Sequence, residues 1–131
     1  MKVLFLCPHA AAKSLVAKCL FEREAKAVGL AVEIDSAGTD PDPEPMPEVV
    51  ALLAGEGIDA SKHVPRKVSE ADLASATRVI SLGCALDELP ARVTITDDWS
   101  DVPLPSQDLE GMRRIVGARV RELARALSED S

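Results

Sequence analysis

The chain has no tyrosine, one tryptophan (Trp99) and two phenylalanines (Phe5, Phe21), which leaves little to wall in an aromatic ligand. Basic residues are in deficit: 15 Lys and Arg against 22 Asp and Glu give 15 − 22 = −7. That balance excludes the basic face of a general nucleic-acid binder and argues against an anionic membrane surface as partner. No apolar run approaches the ~20 residues needed to span a bilayer. Met1-Lys2 is followed by only five apolar residues before Pro8, too few for a secretory signal core. Three cysteines, an odd number without framework spacing, give no disulfide scaffold and point to a reducing, cytoplasmic setting. What remains is 131 residues, about 0.9 of a typical domain length of ~150, so a single domain over 1–131 is expected. It is long enough to bury a core without a metal, and no metal site is expected.

Val3-Leu4-Phe5-Leu6-Cys7 is a continuous apolar run and reads as a strand buried on both faces of a parallel sheet. Ser14 to Ala27 reads as a helix with Leu15, Val16, Cys19, Leu20 and Ala27 on its apolar stripe. Leu30 to Ile34 alternates as a second strand, and Asp40-Pro41-Asp42-Pro43-Glu44-Pro45 must be an exposed loop. Pro47 to Glu56 reads as a helix opened by proline and stopped by Gly57. Ser69-Glu70-Ala71-Asp72 opens a short helix to about Ala76 with a capping-box pattern. Arg78 to Gly83 is the third expected strand, Val93 to Ile95 the fourth, and Asp108 to Leu127 the longest helix, with fraying expected over Ser128 to Ser131. The alternation predicts an α/β fold: a three-layer, doubly wound, four-stranded parallel sheet. Ligands of such sheets bind at the carboxyl ends of strands where strand order reverses.

Cys7-Pro8-His9-Ala10-Ala11-Ala12-Lys13-Ser14 lies at such an end. Small residues before a helix let several backbone N–H groups converge, and with the helix dipole they make an oxyanion cradle from Pro8 to Ser14. Amides, dipole and the Lys13 ammonium favour a thiolate at Cys7, and Ser14 offers its hydroxyl to the same sulfur. That combination suits covalent attack on tetrahedral phosphorus or arsenic. Cys19 reads as core, Trp99 as a packing anchor, and Cys84, just past the third strand, is a candidate neighbour of Cys7.

With these residues in place, the chain resembles the low-molecular-weight tyrosine phosphatase superfamily, and within it the thiol-linked arsenate reductases. The family loop reads C-x-x-x-x-x-R-S, and one reductase branch reads C-x-H-N-A-G-R-S. Cys7, His9, Ala11 and Ser14 match that branch. Ser36-Ala37-Gly38-Thr39, Gly57-Ile58-Asp59, Gly83-Cys84 and Asp98-Trp99-Ser100-Asp101-Val102-Pro103 resemble later family landmarks, in order. The resemblance implies Cys7 as nucleophile, Asp101 as the acid that protonates the leaving oxygen, Asp98 as its fallback, and Cys84 as the resolving thiol.

The departures fall in the loop. Lys13 stands where the family has arginine and loses the planar fork that grips two oxygens. One lost charge-assisted contact costs roughly 1.5–3 kcal/mol, about 10- to 150-fold in rate if all of it is felt in the transition state. Ala10 replaces the bracing asparagine, and Ala12 replaces a glycine that would have freedom for positive φ. Leu89, before Pro90, replaces a further relay cysteine, so the second thiol is Cys84 or an external one: mycothiol, glutathione or a thioredoxin system. No bound cofactor is expected. The expected function is arsenate-reductase-like chemistry on a small oxyanion. A tyrosine phosphatase and a non-catalytic oxyanion or partner binder are the alternatives.

Overall fold

A computed structural model describes residues 1–129. Four parallel strands, β1 (Lys2–Leu6), β2 (Glu33–Ala37), β3 (Arg78–Ser81) and β4 (Asp97–Asp98), lie in the order β2-β1-β3-β4. The helices are α1 (Lys13–Ala27), α2 (Pro47–Ala54), α3 (Glu70–Ser75) and α4 (Leu109–Glu129). This is the expected doubly wound α/β sheet.

Alternation along β1 divides the core in two. Val3, Phe5 and Cys7 join residues of α1, α2 and α4 in one cluster, whereas Leu4 and Leu6 meet Val68, Leu73 and Cys84 on the other side. Both faces are therefore dry, which is why the strand carries no polar residue from Val3 to Leu6. On the α1/α4 side, Phe21 packs edge-on to Phe5 at 5.7 Å, and Trp99 is tilted onto the same ring at 5.9 Å, the anchor its sequence context suggested. Met112, Val116, Val120, Leu123 and Leu127 form the buried stripe of α4. Truncating Met112, Leu123 or Leu127 to alanine would cost about 2–5 kcal/mol.

Several boundaries depart from the sequence reading. The second strand begins at Glu33 rather than Leu30, because the ladder with β1 pairs Lys2 with Glu33 and Leu6 with Ala37. Val93 to Ile95 is no strand. The Thr96 side chain occupies both polar groups of Val79, accepting from its N–H at 3.0 Å and donating to its carbonyl at 2.9 Å, and ladder pairing starts only at Asp97. Helix α4 continues through Ser128 and Glu129, where fraying was expected, and Asp130 and Ser131 lie outside the described residues. Cys19 is half-buried at the core margin, where burial pushes its thiol up to about 11, and Ala27, expected on the apolar stripe, is exposed.

From β1 the chain crosses to β2 on one side and later to β3 on the other. Strand order thus reverses at β1, and the loop after Leu6 opens into the resulting crevice.

Candidate active site

The Cys7 sulfur follows directly on β1, whose ladder extends one step further through the Cys7 N–H to the Ala37 carbonyl at 3.3 Å. Cys7 is 3% exposed, set at the edge of the core, and lines a cavity of about 260 Å³ together with the rest of the loop. Its thiol donates to Ser14 Oγ across 2.9 Å. Once the sulfur is ionised, the same hydroxyl can turn and donate to it.

The loop is arranged by its carbonyls. Those of Pro8, His9 and Ala11 accept from the N–H groups of Asp40, Asp42 and Met46 at 2.8, 3.0 and 2.9 Å. That of Ala10 lies 3.1 Å from His63 Nε2, so the ring donates there. The alternate prolines at 41, 43 and 45 leave donors only at the residues between and after them, and two of these, Asp42 and Met46, hold the loop together with Asp40 just before the first proline. With the oxygens drawn outward, the N–H groups from His9 to Leu15 donate to no acceptor among the described residues. Helix α1 has no side-chain cap at Ala12. By contrast α3 is closed by the expected capping box, Ser69 accepting from the Asp72 N–H and Asp72 accepting from the Ser69 N–H. Buried donors without partners are costly, at about 1–3 kcal/mol each. A run of them at a helix N-terminus is therefore a place for an anion.

Lys13 completes the site. The residue is 8% exposed, lines the cavity, and has no carboxylate or hydrogen-bond partner among the described residues. Its Nζ would stand 3.4 Å from a Cβ on Gly83, a residue whose φ of +97° also requires glycine. The second close approach is at Gly38, where a Cβ would stand 2.5 Å from the Pro8 oxygen and 2.7 Å from that of Cys7.

Positive φ falls at Ala10 (+55°), not at Ala12, whose φ is −138°. The strain expected from replacing a glycine at Ala12 is thus absent there. A comparable cost, roughly 1–2 kcal/mol, sits two residues earlier.

Cys84 is buried on the opposite face of the sheet and opens into a different cavity, with Gly83 as shared wall. Burial pushes its thiol up, the Thr39 hydroxyl beside it pulls it down, and a negative charge at Cys7 pushes it up again. The structure does not bring Asp101 to Cys7. It lies on a separate charged groove with Asp98, and Arg119 clamps its carboxylate at 2.6 and 2.7 Å while riding 5.9 Å over the Trp99 ring. Arg119 holds the Asp101 carboxyl below the usual carboxylate range. Asp98 faces that groove and the Cys84 cavity, its carboxyl likewise lowered by hydrogen bonds from Ser100. Asp42 is the carboxylate in the Cys7 cavity. Sequence reasoning passed over it, although its place between two prolines was a usable signal. Among the described residues no group of three or more His, Cys, Asp or Glu could hold a metal, and no helix is long and apolar enough to cross a membrane.

The chain matches the family model described as low molecular weight phosphotyrosine protein phosphatase over residues 2–97. It is 34% identical over 113 residues to a Halobacterium salinarum protein named "Putative arsenate reductase", covering 85% of this chain and 80% of that one. Among solved structures, an arsenate reductase of Archaeoglobus fulgidus is 29% identical with a TM-score of 0.70, covering 97% of this chain and 98% of that one. A thioredoxin-dependent arsenate reductase of Corynebacterium glutamicum is 27% identical with a TM-score of 0.82, over 99% of this chain and 63% of that one. A low molecular weight protein tyrosine phosphatase of Bacillus subtilis shares the fold, with a TM-score of 0.83, 23% identity, and coverage of 99% of each chain. The chain belongs to the low molecular weight phosphotyrosine protein phosphatase family, and its relatives include both phosphatases and arsenate reductases.

Proposed function

We propose that this protein is an arsenate-reductase-like enzyme in which the Cys7 thiolate attacks a small tetrahedral oxyanion. One observation carries the reading: among the described residues the N–H groups from His9 to Leu15 have no partner, and they stand beside a buried sulfur and a buried lysine, Lys13, that pairs with no carboxylate. The amides and Lys13 hold arsenate, and Ser14 steadies the thiolate. An S–As bond forms as an arsenic–oxygen bond breaks and water leaves. A second thiolate then attacks the Cys7 sulfur, and the S–As electron pair passes to arsenic. Arsenic is reduced from the pentavalent to the trivalent state while two thiolates are oxidised to a disulfide. Cys84 is the internal candidate for that second thiolate, since its cavity and that of Cys7 share Gly83 as a wall. Mycothiol, glutathione or a thioredoxin system is the external donor, and free thiols of this kind suit the cytoplasm.

The test is alkylation of Cys7 by iodoacetamide, read by mass spectrometry, with and without arsenate or phosphate. Protection by either anion, together with arsenate turnover that is lost in Cys7→Ser and Cys84→Ser, is the expected result. Alkylation indifferent to both anions overturns it. A second reading, a phosphatase, draws on the separate cavities of Cys7 and Cys84, since water could then hydrolyse the Cys7 adduct. Hydrolysis of p-nitrophenyl phosphate, lost in Cys7→Ser and kept in Cys84→Ser, selects it. Anion protection without any turnover selects the binding-only alternative.

A further inference from the structure

Expulsion of hydroxide from a tetrahedral oxyanion needs a proton, because hydroxide is a far poorer leaving group than water. Asp101 and Asp98 line a different groove from the cavity that holds Cys7, and that cavity carries titratable side chains of its own. Apart from the nucleophile, the titratable side chains lining the Cys7 cavity are His9, Lys13 and Asp42. Lys13 supplies charge to the anion. The His9 ring is fixed by its own surroundings. Nδ1 is 2.9 Å from the Asp40 carbonyl, which can only accept, so Nδ1 carries hydrogen. The Asp42 carboxylate stands 3.5 Å from the same nitrogen and that of Asp40 3.9 Å. Nε2 has no protein partner among the described residues, which leaves it open to a ligand in the cavity that His9 lines. The backbone keeps this pair in register, the Asp42 N–H donating to the His9 carbonyl at 3.0 Å.

We propose that His9, steadied by Asp42 and the Asp40 carbonyl, is the general acid that protonates the departing oxygen in the Cys7 cavity. The inference rests on the thiolate reading above. The Cys7 sulfur bonds to the central atom, the bond to the departing oxygen breaks, and that oxygen takes the Nε2 proton and leaves as water. His9 is left neutral and no redox change accompanies the step. In reverse, neutral His9 removes a proton from the water that cleaves the adduct.

Inorganic phosphate labelled with oxygen-18 isolates this step, because each cycle of adduct formation and hydrolysis replaces one labelled oxygen by solvent oxygen. Label loss in the wild-type protein, abolished in Cys7→Ser, is the baseline. No label loss in the wild type overturns the thiolate reading and this proposal with it. With that baseline met, His9→Gln is expected to slow exchange by about 10²- to 10⁴-fold. Phosphate should still protect Cys7 from alkylation within about threefold of the wild-type concentration. Asp42→Asn, which removes a positioning residue, is expected to slow exchange less than His9→Gln. Exchange at the wild-type rate in His9→Gln overturns the proposal. So does loss of phosphate protection in parallel with exchange, which makes His9 a binding residue only. The large loss appearing in Asp42→Asn or Asp101→Asn while His9→Gln exchanges normally also overturns it, assigning the proton to a carboxylate.

Discussion

His63 reaches across from the segment after α2 to donate, through Nε2, to the Ala10 carbonyl at 3.1 Å, and Ala10 is the one non-glycine residue among those described that is held at positive φ. Burial pushes the His63 imidazole down, with Lys18 adding to the effect and the Ala10 carbonyl and Asp35 opposing it. A base lowered on folding binds fewer protons in the folded than in the unfolded state near its titration, so stability rises with pH there. The contribution of His63 is complete above about pH 6.5, the ordinary histidine value, and is lost as pH falls toward the folded-state value. Urea midpoints measured from pH 7.5 to 5 should fall for the wild type. The slope should be shallower for His63→Gln, which retains a donor for Ala10 and cannot titrate.

Ala10 itself is a site for improvement. Ala10→Gly removes the Cβ penalty at φ +55°, partly offset by greater freedom of the unfolded chain. The expected gain is about 1 kcal/mol, or about 3–4 °C in Tm for a chain of this size, read by calorimetry.

Gly38→Ala should act in the opposite direction. Its Cβ would stand 2.5 Å from one loop carbonyl and 2.7 Å from another, and neither backbone atom can move aside cheaply. A loss of about 1–3 kcal/mol in stability is expected, together with weaker anion protection of Cys7. A variant with unaltered protection would show that the loop can shift without harm.

Lys13 provides a test of charge. Lys13→Met keeps the length and removes the ammonium, and should weaken arsenate or phosphate protection of Cys7 by about 10- to 150-fold, equivalent to roughly 1.5–3 kcal/mol. Lys13→Arg should tighten it if the cavity beside Gly83 admits the planar fork.

Away from the site, Glu56 joins α1 to α4. Arg113 grips its carboxylate at 2.6 and 2.7 Å and Arg23 adds a contact at 3.1 Å, holding its carboxyl down to about 2. A carboxyl lowered on folding contributes stability above its unfolded value, about 4.3, and that contribution disappears as pH falls toward 2. Glu56→Gln should therefore be less stable than the wild type at pH 7, with the difference narrowing below about pH 4 in acid titrations followed by circular dichroism.

Local pattern carried the fold where burial was decided locally. β1 is apolar throughout because both of its faces are covered, and α4 keeps its stripe because one face meets the sheet and α1. The same holds for Cys7, Lys13 and Ser14, which lie on one loop and one helix start. Pattern failed where a partner decides. The β2 boundary follows from β1, and β4 is displaced by a threonine side chain that saturates Val79. Asp101 looked free in sequence because nothing in its own segment announces Arg119, which captures it from α4. Asp42, Gly83 and His63 reach the site from three separate connections, and no local periodicity brings them together.

The receptacle around Cys7 consists of peptide linkages whose oxygens are tethered elsewhere in the molecule. Side-chain exchange along it leaves the run of donors in place, because every residue type except proline brings the same N–H. Ala10, Ala12 and Lys13 are thus compatible with the same row of main-chain donors that other side chains there would present.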